Sequence, residues 1–220
     1  MDDGYGKERR LRKYEAAPEP AAVRAGEPPL ELFSPFGPLI VRTRIPGALV
    51  DRLNARIDAL GPGERAEERV LPESLVTEGG DASLVRVTAN LVRRFVQEAE
   101  GEAADRVDFE SFWVVRQTAN LPSPVHFHSS DVSGVLYLRL PEVDGGEEHK
   151  TYLSDRRAGY INFLIGGKQR FAKSLVSFKP RVGDFYVFPG WLLHGAEPFR
   201  GRGERRSLAF NAMLPPPGRD

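Results

Sequence analysis

The hydrophobic period of the chain changes once, and the change divides it in two. After Pro46, the residues Leu49, Val50, Leu53, Ile57 and Leu60 recur every three or four positions, which lines one stripe of a helix. Proline suits a first helical turn, and Gly61-Pro62 ends the run. A second stripe, Leu84, Leu91, Val92, Phe95 and Val96, predicts a helix over 83–99. Ahead of both, Pro38–Ile45 reads as a strand, while 63–80 has no clear period and reads as loop. From Phe109 onward the pattern becomes that of strands. They are predicted at 111–119, 124–128, 133–140, 159–165, 174–179, 183–188 and 205–212, with turn residues between them. Helices first and many short strands after predict a mainly β, α+β architecture: a sandwich or barrel braced by helices.

Composition places bounds on that picture. Residues 1–30 are charged and rich in Ala, Pro and Glu, so they read as a flexible extension. Residues 31–214 read as one domain, with helical support over 46–100 and a strand core over 109–213; residues 215–220 read as a tail. The 31 Lys and Arg residues balance 31 Asp and Glu, so no net field favours nucleic acid or an anionic membrane. The absence of cysteine excludes disulfides, thiolate metal sites and cysteine nucleophiles. MDDGYGKERR holds no apolar leader and no later stretch approaches 18 apolar residues, so a cytoplasmic protein is expected.

The chemistry concentrates in histidine. The chain has four, and two of them form His126-Phe127-His128. In a strand, residues i and i+2 share a face, so both imidazoles can aim at one point. Neutral imidazole ligates iron, zinc, copper and nickel. His194, after the strand-like run Gly183–Pro189, is the candidate third ligand, with Asp131 as an alternative carboxylate.

From about 111 to 213 the motifs His126-x-His128, Ser133-Gly-Val-Leu-Tyr137-Leu, Gly145-Gly-Glu147, Gly183-x5-Pro189, His194 and Arg205-Arg206-Ser207 follow one another in order. That order resembles the double-stranded β-helix (jelly-roll, cupin-like) core of Fe(II)- and 2-oxoglutarate-dependent oxygenases. It is most similar to the bacterial and phage branch whose first motif is H-x-H followed by S-G-x-x-Y-L. The resemblance implies Fe(II) on His126, His194 and either His128 or Asp131, since the family usually carries a carboxylate where this chain has His128. It implies 2-oxoglutarate as co-substrate on Arg205, with Ser207 on the same strand face, Tyr137 beside it and Arg206 pointing the other way. Hydroxylation of a small-molecule or peptide substrate by O2, with release of succinate and CO2, is the implied reaction. No catalytic group beyond the metal ligands is expected.

Around that centre, Trp113, Arg116, Gln117, Asn120 and Asn211 are candidates for the substrate side, although Trp113 also reads as a core anchor. The polar stretch 141–158 reads as a lid in which His149 is a surface histidine, and Gly190 and Trp191 as parts of the mouth. A homodimer is one open option, and the sequence does not give the oligomeric state. Two other readings stay open. A cupin also uses H-x-H and a later histidine, and Gly183-x5-Pro189-x4-His194 fits its second motif, but no glutamate follows His128 as its first motif requires. A non-catalytic metal- or ligand-binding domain of the same fold is favoured by the missing carboxylate at position 128.

Overall fold

The structure is a computed structural model that describes residues 29–33, 37–61, 68–121, 123–143, 158–166 and 173–215. The extension expected over 1–30 and the tail over 215–220 fall almost wholly outside the described residues.

Two antiparallel sheets face each other. The larger has seven strands in the order β1 (Glu31–Phe33), β2 (Ile40–Arg44), β10 (Asp184–Pro189), β6 (Val132–Arg139), β13 (Arg205–Met213), β4 (Asp108–Gln117) and β3 (Glu68–Val70). The smaller runs β5 (Ser123–His126), β11 (Leu193–Ala196), β8 (Ile161–Leu164) and β9 (Leu175–Phe178). A two-residue pair, β7 (Glu142–Val143) and β12 (Gly201–Arg202), stands apart. Neighbouring strands in the sandwich are mostly distant in sequence, as when β13 inserts between β6 and β4. This is the jelly-roll layout of the expected double-stranded β-helix.

The alternation of β13 explains the layering. Leu208, Phe210 and Ala212 join Phe112, Val114 and Leu136 in the main core, against Leu53 and Ile57 of α1 (Gly47–Ala59) and Val92, Phe95 and Val96 of α3 (Leu84–Glu100). Truncating any one of those phenylalanines to alanine costs about 3–5 kcal/mol. The alternate residues Arg205, Ser207 and Ala209 face the smaller sheet and line a cavity between the two. A smaller apolar cluster, including Tyr137, Phe163, Tyr186 and Phe188, closes one side of that space. The helices serve the other face only. α3 starts where Ser83 accepts a hydrogen bond from the Arg86 N–H, and stops at Gly101, whose φ of 88° suits glycine.

The loop expected over 63–80 is corrected by the structure. Its described part holds β3, the short helix α2 (Glu73–Thr77) and the start of a 3-10 turn at Gly80–Ala82. A three-residue strand and a five-residue helix are too short to show a period. They form because β3 pairs with β4 and because Leu75 and Val76 join the main core. β11 was likewise not anticipated. Its four residues are held between β5 and β8.

Candidate metal centre and co-substrate pocket

His126 ends β5 and His194 lies on β11, directly opposite it across the ladder. Their ring centroids are 4.4 Å apart. His128 comes two residues after His126, past the end of the strand, so the shared-face argument does not place it. Its backbone N–H donates to the Gly190 carbonyl at 2.9 Å, and its ring lies 5.0 Å from His126 and 5.2 Å from His194. One nitrogen from each of the three falls within 4.8 Å of the others. Gly190 is the hinge pin of this arrangement. Its N–H donates to the Asp131 carbonyl at 3.0 Å, and a Cβ there would overlap the Ser130 carbonyl. Only glycine lets the turn after β5 approach β10 this closely.

Two of the imidazoles have their tautomer set by a backbone carbonyl. Nδ1 of His126 lies 2.7 Å from the Pro124 carbonyl and Nδ1 of His194 lies 2.8 Å from the Leu192 carbonyl. A carbonyl only accepts, so each Nδ1 carries the proton and each Nε2 keeps its lone pair, the arrangement of metal-ligating histidine. Burial pulls the pKa of His128 down to about 4, with the neighbouring His126 adding to the effect. Burial pulls His194 down to about 3, with its Leu192 hydrogen bond opposing. Asp131 is engaged elsewhere: its carboxylate accepts from the Leu214 N–H at 2.7 Å. Among the described residues, the three histidines are the group able to hold a metal. Three neutral nitrogen donors suit a divalent first-row ion.

Across the cavity lies Arg205, 1% exposed. Its Nε and Nη2 both donate to Oε1 of Gln117, and Nη1 donates to the Glu197 carbonyl at 2.9 Å. The Glu197 side chain turns away and accepts from Asn162. Three of the five guanidinium N–H groups are thus held by neutral oxygens, and one on each Nη remains. That pair is the fork which grips a carboxylate. Burial lowers the Arg205 pKa from its ordinary value and Tyr137 opposes this, but a guanidinium stays charged in either case. Ser207 pairs with Tyr137 across β13 and β6, and both line the same end of the cavity. Burial raises the Tyr137 phenol above its ordinary value, partly opposed by Arg205, so its hydroxyl keeps its proton.

The remaining predicted residues divide. Trp113 lines the cavity, with its ring 5.9 Å from His128, rather than anchoring the core. Gln117 lines it too and holds Arg205. Arg116 is corrected to the helix side of the sheet, where Nη2 donates to the Ile57 carbonyl at 3.1 Å. Asn120 is corrected to a turn at φ 68°, with its N–H on the Phe199 carbonyl. Asn211 accepts from the cavity-lining Ser133 at 2.7 Å. Trp191 is 53% exposed. Most of the expected lid over 141–158, His149 included, lies outside the described residues, and Glu142–Val143 forms β7. Glu68 was missed. It lines the cavity from β3, inside the supposed loop, and no sequence motif marks it.

Residues 111–211 match the protein family described as "Putative 2OG-Fe(II) oxygenase". No curated protein matches the chain. Among solved structures, a prolyl-4-hydroxylase from Pseudomonas putida is similar at 17% identity and a TM-score of 0.53, over 80% of this chain and 93% of that one. The viral collagen prolyl hydroxylase of Paramecium Bursaria Chlorella virus-1, in its 2-oxoglutarate complex, is similar at 15% identity and a TM-score of 0.54, over 89% and 100%. A prolyl hydroxylase from Trichoplax adhaerens, bound to a peptide fragment of hypoxia inducible factor, is similar at 12% identity and a TM-score of 0.50, over 76% and 78%. These likenesses carry the fold alone. The stretch that matches this family, residues 111–211, is just under half of the chain and holds the three histidines and Arg205.

Proposed function

We propose that His126, His128 and His194 hold the Fe(II) of this oxygenase, and that Arg205, with Ser207 and Tyr137, holds the distal carboxylate of 2-oxoglutarate. The observation that carries the second half is Arg205 itself. A buried cation among neutral acceptors is costly unless a ligand supplies the anion, and two of its N–H groups are free to take one. His128 is preferred to Asp131 as third ligand because a ring nitrogen of His128 groups with those of His126 and His194, and Asp131 is outside that group. With three neutral ligands the iron keeps its full double charge, which favours a dianionic co-substrate beside it.

Iron, when bound, supplies the activation of O2 against the 2-oxo acid, with succinate and CO2 as products. The protein's own part is positional. Pro124 and Leu192 fix the tautomers of two ligands, Gly190 fixes the third, and Gln117 aims the guanidinium. The protonated Tyr137 hydroxyl offers a donor at the carboxylate end. We propose hydroxylation of a small molecule or peptide as the outcome, in the cytoplasm. Homodimer formation stays a separate proposal that sedimentation decides.

The test is anaerobic. Metal-free protein receives Fe(II), and 2-oxoglutarate is titrated by calorimetry. The expected result is a saturable site that disappears in Arg205→Ala while iron still binds. Undiminished 2-oxoglutarate binding in Arg205→Ala would remove this assignment.

A further inference from the structure

Among the described residues lining the cavity, Arg205 and Glu68 are the only Lys, Arg, Asp or Glu side chains. Arg205 is committed to the co-substrate in the reading above, on which this inference rests. Glu68 is not. It is exposed and, among the described residues, makes no hydrogen bond or ion pair of its own.

Register fixes where it stands. Glu68 is opposite Val115, Val115 is opposite Ser207, and Ser207 is opposite Tyr137, so the four form one row across β3, β4, β13 and β6. Residues directly opposite in a ladder point to the same face, and all four line the cavity. At about 4.8 Å per strand, Glu68 lies about 10 Å from Ser207, on the side away from the co-substrate end. Trp113 is its diagonal neighbour on that face, one row along, and Trp113 is also the side chain whose ring meets His128. A molecule lying against Trp113 therefore has the histidine centre at one end and the Glu68 carboxylate at the other.

We propose that Glu68 and Trp113 form the recognition site for a cationic group on the prime substrate, an ammonium or a guanidinium carried on an aliphatic stem. The carboxylate supplies a charge-assisted hydrogen bond and the indole face a cation–π contact. The stem packs along Val115 and Trp113 and carries its C–H bonds towards the histidines. The two charged walls then sort the two ligands by sign: the dianion goes to Arg205 and the cation to Glu68. An anionic substrate is turned away by Glu68, so the sorting also keeps a second 2-oxo acid out of the substrate side.

The experiment uses the full chain loaded anaerobically with Fe(II) and 2-oxoglutarate. Calorimetric titrations compare Nα-acetyl-lysine amide, Nα-acetyl-arginine amide and cadaverine with the uncharged isostere Nα-acetyl-norleucine amide and with Nα-acetyl-glutamate amide. At least one cation is expected to bind roughly tenfold or more tighter than norleucine amide. That ratio is expected to fall to about one in Glu68→Gln, and Glu68→Lys is expected to favour the glutamate amide. Cations that bind no tighter than norleucine amide would overturn the proposal, as would a preference that survives Glu68→Gln. The 2-oxoglutarate titration of the unsubstituted protein reads the oxygenase assignment separately. Its failure alongside intact cation selectivity would remove that assignment and leave this site standing.

Discussion

Arg205 and Arg206 are consecutive, equally buried, and on opposite faces of one strand, yet they live in different chemistries. Arg206 faces the helices. Its Nη2 meets the carboxylates of Asp58 and Glu204, each at 2.6 Å, and Nη1 reaches Asn54 of α1. Asp58 is held below the usual carboxylate range by that hydrogen bond. Arg205 faces the cavity, where a side-chain amide and a backbone carbonyl hold it and, among the described residues, no carboxylate does. One face of the sheet satisfies its charge internally and the other leaves its charge for a ligand. Residue type and burial are the same on both sides. Only the sign of the neighbours separates Arg206 from Arg205, the arginine proposed to bind.

Substitutions can break that contrast at several depths. The largest effect is expected from His194→Ala, which removes a proposed ligand from the cavity wall. Iron affinity should drop by more than the roughly 100-fold typical of losing an outer partner of a ligand. Unchanged iron content after dialysis would discard the centre. Next comes Arg206→Ala, which removes a buried guanidinium and its bonds to Asp58, Glu204 and Asn54, while Arg139 still pairs with both carboxylates. It should destabilise the fold by about 1–3 kcal/mol, from lost hydrogen bonds and packing rather than from an unpaired buried charge, read as a lower urea midpoint. Arg205→Ala should leave that midpoint unchanged or raise it, because it deletes an uncompensated charge. Equal losses in the two variants would erase the distinction between the faces.

A subtler change, Gln117→Glu, would make Arg205 resemble Arg206 by giving it a carboxylate. The expected outcome is 2-oxoglutarate affinity about tenfold weaker, with the fold intact, as the new carboxylate competes for the guanidinium. Tighter binding would mean that Gln117 does not govern the charge available to the ligand. The smallest effect is in pH. His128 and His194 sit near 4 and 3 in the folded chain, below the ordinary 6.5. The unfolded chain therefore binds more protons as pH falls below 6.5, and stability is lost progressively from there downward. The urea midpoint of metal-free protein should decline between pH 6.5 and 5, and His128→Gln should flatten the decline. A flat profile for the unsubstituted protein would show that the imidazoles are not desolvated.

Much of this was legible in the chain. The helical stripes from Leu49 and from Leu84 gave α1 and α3, and the histidine spacing with Arg205-x-Ser207 marked both ends of the cavity. The misses share a cause. β3 and β11 have three and four residues, and they exist because of partners far along the chain, which no local pattern encodes. Glu68 was hidden with β3. Arg116 and Gln117 are neighbours whose fates depend on which way one strand faces, so only the register separates a helix-side arginine from the residue that steers Arg205. His128 lies beside the other two imidazoles for a reason other than its spacing, through the close approach of Gly190.

The centre also has a mechanical side. β5 is the outermost strand of its sheet, laddered to β11 alone, and its register there is interrupted by an irregularity between His194 and Ala196. Two of the three imidazoles hang from this edge and the turn after it, and the third from the strand beside it. A bound ion is then a rivet through the seam. Without it, the segment from Ser123 to Asp131 is expected to exchange its amide hydrogens faster than with an ion bound, so occupancy of the centre would set the local stability of this edge.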